Sequence, residues 1–334
     1  MSERCLIFEL TFRGEIDPIP GVLEIMNNAR HLSSRGILSI AILLATAAYF
    51  SLSGTTKAAV LDLGAAGQFT LLALGGSIDD SGPVGPQANP YTVAGPVGVV
   101  TSGQKFQASG DVVYSGPVYL HSGVTYNSSA AGVPQPTTGP AVDSLLEQAK
   151  TDALNASAAG LQLGMNPTAT YGTISSTTSI TETSVGHYVF NITAINFSGG
   201  STLTLNAPAG STYLLNISTG IVLTGGSILV SGGLNPADVL INYTGTADVR
   251  FSGGGNTSQV YATILAPNAG VDLAPGLVVG SIIANSITMS SGADVIPVPE
   301  VTPSWVIFGF LGLVVAVTSR RTLISRAREA LQRA

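Results

Sequence analysis

Cysteine is almost missing from this 334-residue chain: Cys5 is the only one. No internal disulfide can form and no cysteine-ligated zinc can be built, so stability must come from packing and hydrogen bonds. Charge is scarce too. Charged residues make up 10% and aromatics 6%, and with plentiful Gly, Thr, Ser, Val and Ile this points to an all-β protein with many tight turns. Apolar residues are too common for a disordered chain. Between residues 60 and 298 the only cations are Lys105, Lys150 and Arg250, against a dozen carboxylates from Asp62 to Asp294. Nucleic acid is excluded as a partner, because phosphate binding needs clustered Lys and Arg. The acidity suits solubility outside the cell.

Catalytic signatures are lacking as well. The histidines His31, His121 and His187 are far apart, with no metal-like spacing. No Gly-x-Ser-x-Gly elbow has a credible His and acid partner. Asp79 and Asp80 are adjacent, so in a strand they point to opposite faces. Asp248, Asp272 and Asp294 would give a calcium site or an acid pair only if successive coils stacked them. The chain therefore reads as a non-enzyme with no cofactor and no resident metal. A polysaccharide-acting enzyme stays open as the least favoured reading.

Long apolar runs occur only at the two ends. Residues 37–52 follow Arg30 and Arg35 and precede a small-residue stretch ending at Ala59, the order of a secretory signal peptide. Residues 26–59 are read as that signal, starting at Met26, with an uncleaved anchor as the other reading. Residues 1–25 are then an over-extended start. At the other end, residues 301–319 approach the ~20 apolar residues of a membrane span. Trp305 lies at an interfacial position, and Arg320-Arg321 with the basic tail predict a cytoplasmic C-terminus.

Val298-Pro299-Glu300, the glycine-bearing apolar span with Gly309 and Gly312, and Arg320-Arg321 together resemble the C-terminal signal of PEP-CTERM proteins. The resemblance implies processing by an exosortase-like membrane protease and delivery to the cell envelope or extracellular matrix, with Pro299, Glu300, Arg320 and Arg321 as the sorting residues. Two features depart from the pattern: Val301 replaces the second proline, with Pro303 two residues on, and the tail after the arginines is long. If they matter, the span is a permanent anchor.

The body, residues 60–296, carries one helical signal. Val142, Leu145, Leu146, Ala149, Ala153 and Ala156 fall at i, i+3, i+4, i+7 spacing. Pro140 opens this helix and Gly160 closes it, giving about 140–159. The stripe is narrow and Ala-rich, so the helix lies flat on another surface. Elsewhere short β-branched runs alternate with glycine turns, such as Gly225-Gly226 and Gly232-Gly233. A β-solenoid and a β-sandwich both accommodate this. Strong hairpin dipeptides are absent, which favours the solenoid.

The opening Leu63-Gly64-Ala65-Ala66-Gly67-Gln68-Phe69, the single helix, and Ala262-Thr263-Ile264-Leu265-Ala266-Pro267-Asn268-Ala269 before Gly280 resemble the choice-of-anchor A family of bacterial surface proteins. The layout is also similar to the ice-binding family. The resemblance implies a right-handed parallel β-solenoid with one helix alongside, flanked here by an N-terminal signal helix and a C-terminal transmembrane helix. It supplies no activity.

A candidate ligand face follows from Thr202-x-Thr204, Thr263 and Ser286-x-Thr288, since a flat Thr/Ser face orders water or hydrogen-bonds a lattice. The same residues are ordinary strand composition. Asn191, Asn196, Asn216 and Asn242 match glycosylation acceptors that are incidental in a bacterial protein. The reading is an exported, envelope-held structural or adhesive protein. The alternative binds ice or carbohydrate through one flat face. The partners expected are the processing protease, the membrane, and exopolysaccharide or ice. An unbroken outward row of Thr and Ser favours the alternative, and a bumpy row rich in Asp and Asn favours the first.

Overall fold

The computed structural model describes residues 61–82, 91–253, 258–290 and 292–298. The apolar segments of both ends, the residue ranges assigned to signal and span, and Pro299, Glu300, Arg320 and Arg321 lie outside the described residues. Among those described, no helix is long and apolar enough to cross a membrane.

The chain first lays down short strands: β1 (Leu71–Ala73), β2 (Ile78–Ser81) and β3 (Tyr91–Val93), then β4 (Val97–Val99), β5 (Lys105–Ser109) and β6 (Val112–Tyr114), then β7 (Val118–Leu120) and β8 (Thr125–Ser128). Helix α1 (Pro140–Leu163) follows. The second series comprises β9 (Ala169–Ile174), β10 (Thr178–Thr181), β11 (His187–Ser198), β12 (Thr202–Asn206), β13 (Thr212–Thr224), β14 (Ser227–Ser231) and β15 (Val239–Tyr243). It ends with β16 (Val249–Ser252), β17 (Ser258–Val260), β18 (Thr263–Ala274), β19 (Gly276–Val279), β20 (Ile282–Ser290) and β21 (Ala293–Ile296).

Every strand-to-strand ladder is parallel, and the fold is the expected β-solenoid rather than a sandwich. The coils are not stacked in chain order. The first coil lies on the last, with Leu71 opposite Ile282 and Ile78 opposite Ile287. The coils of β4 and β7 stack outward from there. Helix α1 then carries the chain to the opposite end, where β9 and β10 start the series that returns to the first coil. The Gly- and Pro-rich head is thus part of the same solenoid.

Three faces result. A helix face holds β7, β4, β1, the first halves of β20 and β18, β15, and the first halves of β13 and β11, ending at β9. The long strands bend at register shifts, between Ile192 and Ala194 and between Ala266 and Gly270. Their second halves form a broad face with β8, β5, β2 and β16. A back face runs β10-β12-β14-β17-β19-β21-β3-β6. Alternation along each strand sends one row inward. On the helix face that row is Val118, Val97, Leu71, Ile282, Ile264, Ile241, Leu215 and Phe190, all with no exposure.

The outward row of the helix face is buried by α1. It contains Leu72, Ile283 and Leu265, packed with Leu146, Ala149 and Ala153 of the helix. Full burial of Leu146 contributes about 2 kcal/mol. Gly98 belongs to this row, and a Cβ there would sit 2.9 Å from Leu146 Cδ2. The helix therefore needs a residue without a side chain at that position.

The helix ends later than the expected 159. Gly160 is inside it and buried, and Gly164 caps it. The reason lies in the sheet. Asn216 Nδ2 donates to the Gly160 carbonyl at 2.9 Å and Asn191 Nδ2 donates to the Gly164 carbonyl at 2.7 Å, so two asparagine amides satisfy carbonyls of the last turns. Gly160 is required by contact: its Cβ would lie 2.6 Å from Asn242 Nδ2.

Candidate ligand-binding face

Away from the helix, side chains point outward along the broad face and the back face. On the broad face the central outward row, one residue per coil in register, reads Asn127, Gln107, Asp79, Thr288, Asp272, Arg250, Val222 and Asn196. Neighbouring coils are about 4.8 Å apart in such a stack, so the row is a ladder of amide, carboxylate, hydroxyl and guanidinium groups. Its charged centre is tied together. Lys105 Nζ lies 2.7 Å from Asp79 Oδ1 and donates to Gln107 Oε1 at 3.3 Å. Arg250 is exposed and stands in register between Asp272 and Val222. The face is bumpy and mixed in charge.

A second, smaller row borders it. Ser109, Ser81 and Ser290 are in register, and Ala274, Ser252, Thr224 and Ser198 continue it on the adjoining coils. Some of its hydroxyls are engaged locally: Ser81 Oγ donates to the Met289 carbonyl at 3.4 Å, and Thr224 Oγ1 and Ser252 Oγ are 3.5 Å apart.

The five residues of the expected ligand face are distributed over three faces. Thr202 and Thr204 lie on the back face, in β12. Thr263 begins β18 on the helix face and is buried. Ser286 and Thr288 are on the broad face, where Thr288 is exposed between Asp79 and Asp272. Within each strand the paired residues share one side, but which sheet each strand joins depends on the fold's coil order.

The carboxylates separate in the same way. Asp79 faces out and Asp80 faces in, where its Oδ2 accepts from the Tyr114 hydroxyl at 2.8 Å. Burial pushes the Asp80 carboxyl up to about 6, only partly opposed by that hydrogen bond. Tyr114 is pushed well above its ordinary range by burial and the nearby carboxylate. Asp248 Oδ1 accepts from the Gly270 amide at 3.2 Å, Asp272 is on the broad face, and Asp294 is on the back face, accepting from the Thr92 amide at 2.8 Å. These three do not stack. No group of three or more potential metal-ligating His, Cys, Asp or Glu occurs among the described residues. His187 Nδ1 lies 2.7 Å from Thr212 Oγ1 on the neighbouring coil, and His121 Nδ1 lies 2.8 Å from the Ser122 carbonyl, so the two rings serve separate local contacts.

Three of the four asparagines named above form a ladder beneath the helix, which sequence reading missed. Asn191, Asn216 and Asn242 stack in register under α1. Their signal is a repeat: Tyr188-Val-Phe-Asn-Ile-Thr193, Tyr213-Leu-Leu-Asn-Ile-Ser218 and Val239-Leu-Ile-Asn-Tyr-Thr244 recur one coil apart. The hydroxyl residue that completes each motif lies where the chain turns toward the broad face: Thr193 at the register shift of β11, Ser218 at the matching point of β13, and Thr244 just after β15. Asn196 alone of the four is on the broad face and exposed.

Residues 55–295 match the model of the family described as "Putative Ice-binding-like adhesive domain". Among solved structures, the chain is similar to an ice-binding protein from an Arctic yeast, at 15% identity and TM-score 0.46, covering 74% of this chain and 97% of that one. It is similar to an ice-binding protein from the Antarctic ascomycete Antarctomyces psychrotrophicus, at 19% identity and TM-score 0.46, covering 72% and 99%. It is also similar to an ice-binding protein from an Antarctic Flavobacteriaceae bacterium, at 16% identity and TM-score 0.48, covering 73% and 48%. No curated protein matches the chain.

Proposed function

The chain belongs to the family of ice-binding-like adhesive domains, and from that premise we propose that it is a non-enzymatic surface adhesin whose broad face holds extracellular polysaccharide. The observation that carries the reading is the outward row Asn127, Gln107, Asp79, Thr288, Asp272, Arg250 and Asn196, interrupted by one apolar residue, Val222. Planar amides, carboxylates and a guanidinium at a regular spacing suit sugar hydroxyls along an extended chain. Export by the signal segment and sorting through Pro299, Glu300, Arg320 and Arg321 by an exosortase-like protease complete the proposal. In it, residues 26–59 are the signal, 60–296 the ectodomain, and 297–334 the sorting segment with its span.

The experiment is retention of the full chain on immobilised extracellular polysaccharide. Wild type is expected to bind, and Gln107→Ala with Arg250→Ala to lose at least about tenfold in affinity. Equal binding by the double variant would refute the assignment to this face.

A second reading has its own observation. The Ser/Thr border row is interrupted only by Ala274, and such a row on a solenoid suits ice. Thermal hysteresis that is present in wild type and abolished by Ser252→Tyr would favour ice as the ligand.

A further inference from the structure

The two ends of the solenoid differ. At the end formed by β6, β7 and β8, residues 130–137 run along the outer edges of β6 and β7, while β8 pairs only with β5 among the described strands. Gly132 pairs with Val113, Thr137 with Tyr119, and Ala130 and Val133 join the interior core. At the other end, no strand among the described residues pairs with the outer edges of β9 and β10. That edge lacks two of the usual devices against pairing. From Ala169 to Thr181 it contains no proline and no charged residue.

Exposed apolar side chains gather around the same edge. Met165 is 70% exposed, Val185 65%, Leu161 48% and Leu163 44%. Leu161 and Met165 line a groove with Tyr171 of β9, and Val185 lies in the connection between β10 and β11. Scattered exposed leucines are ordinary, but a concentration beside an unpaired edge marks an interaction surface.

Charge identifies the occupant. Between Asp152 and Asp238 the only charged residue is Glu182, whereas the rest of the body is strongly acidic. Two copies of an acidic chain repel wherever carboxylates meet, and this is the end at which they do not. We propose that this end is a homodimer interface, with two copies stacked end to end about a two-fold axis so that β10 meets its counterpart antiparallel. A two-fold contact uses the same patch on both copies, so it closes at two and does not run on into a filament. The inference is independent of what the broad face binds.

Sedimentation of the full chain in density-matched detergent, across a concentration series, tests it. The wild type is expected to pass from monomer to dimer mass. Met165→Asp with Val185→Asp is expected to weaken association at least about tenfold, with a melting curve that matches the wild type at concentrations where the wild type is monomeric, because both sites are exposed. Ser129→Lys, at the opposite end, should leave the dimer intact. A wild type that stays monomeric throughout, or a Ser129→Lys variant as impaired as the double variant, would overturn the proposal. So would a monomeric wild type whose binding to phosphatidylcholine vesicles is lost in the double variant, which would assign the patch to a membrane.

Discussion

The Ser157 hydroxyl donates to Asn242 Oδ1 at 2.7 Å, and the Asn242 amide donates back to the Ser157 carbonyl at 3.0 Å. This reciprocal pair is fully buried and joins the helix to the sheet. Asn242 also donates to Asn216 Oδ1 at 2.8 Å, linking the pair to the ladder. Replacing Asn242 by Ala removes three hydrogen bonds and leaves buried oxygens without donors. The expected loss is about 2–4 kcal/mol of unfolding free energy, measured by denaturant unfolding of the detergent-solubilised chain. Asn196→Ala, on the exposed broad face, should change stability by less than about 0.5 kcal/mol.

Asp80 provides a pH-dependent prediction. Its folded-state pKa, about 6, lies above its ordinary 3.8, with burial as the main cause. The folded chain therefore holds a proton that the unfolded chain releases. Stability is greatest below the ordinary value and falls as pH rises from about 4 to about 6, by about 2–3 kcal/mol for this group. Melting at pH 4.5 and 7.5 measures it. Exposed carboxylates contribute a background, so Asp80→Asn is the comparison: it should remain stable at pH 7.5 and lose this part of the pH dependence.

Gly98 sets how closely α1 approaches the sheet. A valine there would press on Leu146, Leu72 and Phe69. Overpacking of this kind costs about 1–3 kcal/mol. Gly98→Val should lower the melting temperature, while Gly103→Ala should cost less: Gly103 has open space around its Cβ position, and strain from its positive φ is the only penalty.

The Lys105–Asp79 pair is partly exposed, at 48% and 35%. Lys105→Met should therefore change folding stability by less than about 1 kcal/mol. Its expected effect is on ligand retention by the broad face, so stability and binding measurements should separate.

Much of this architecture was legible in the sequence. The alternation of β-branched residues and glycine turns, without hairpin dipeptides, pointed to a parallel solenoid. The stripe Leu146, Ala149, Ala153 and Ala156 located the helix and its buried face. Gly160 misled because a glycine after an apolar stripe usually stops a helix, whereas here it permits contact with Asn242. The ligand face was not legible. Thr202 and Ser286 both occupy outward strand positions, but their faces depend on long-range stacking. The closure of Leu71 on Ile282 joins residues more than two hundred positions apart, and no local pattern encodes it. The asparagine ladder was encoded in the repeat, but its glycosylation-like motif obscured it.

The most direct measurement is adhesion of cells lacking this gene and complemented with either the wild-type chain or the Gln107→Ala, Arg250→Ala variant, with surface display quantified by antibody. The wild type should restore retention under flow on a polysaccharide-coated surface. The variant should be displayed equally and fail to hold. Equal retention by both, or a wild-type chain that never reaches the surface, would contradict the account.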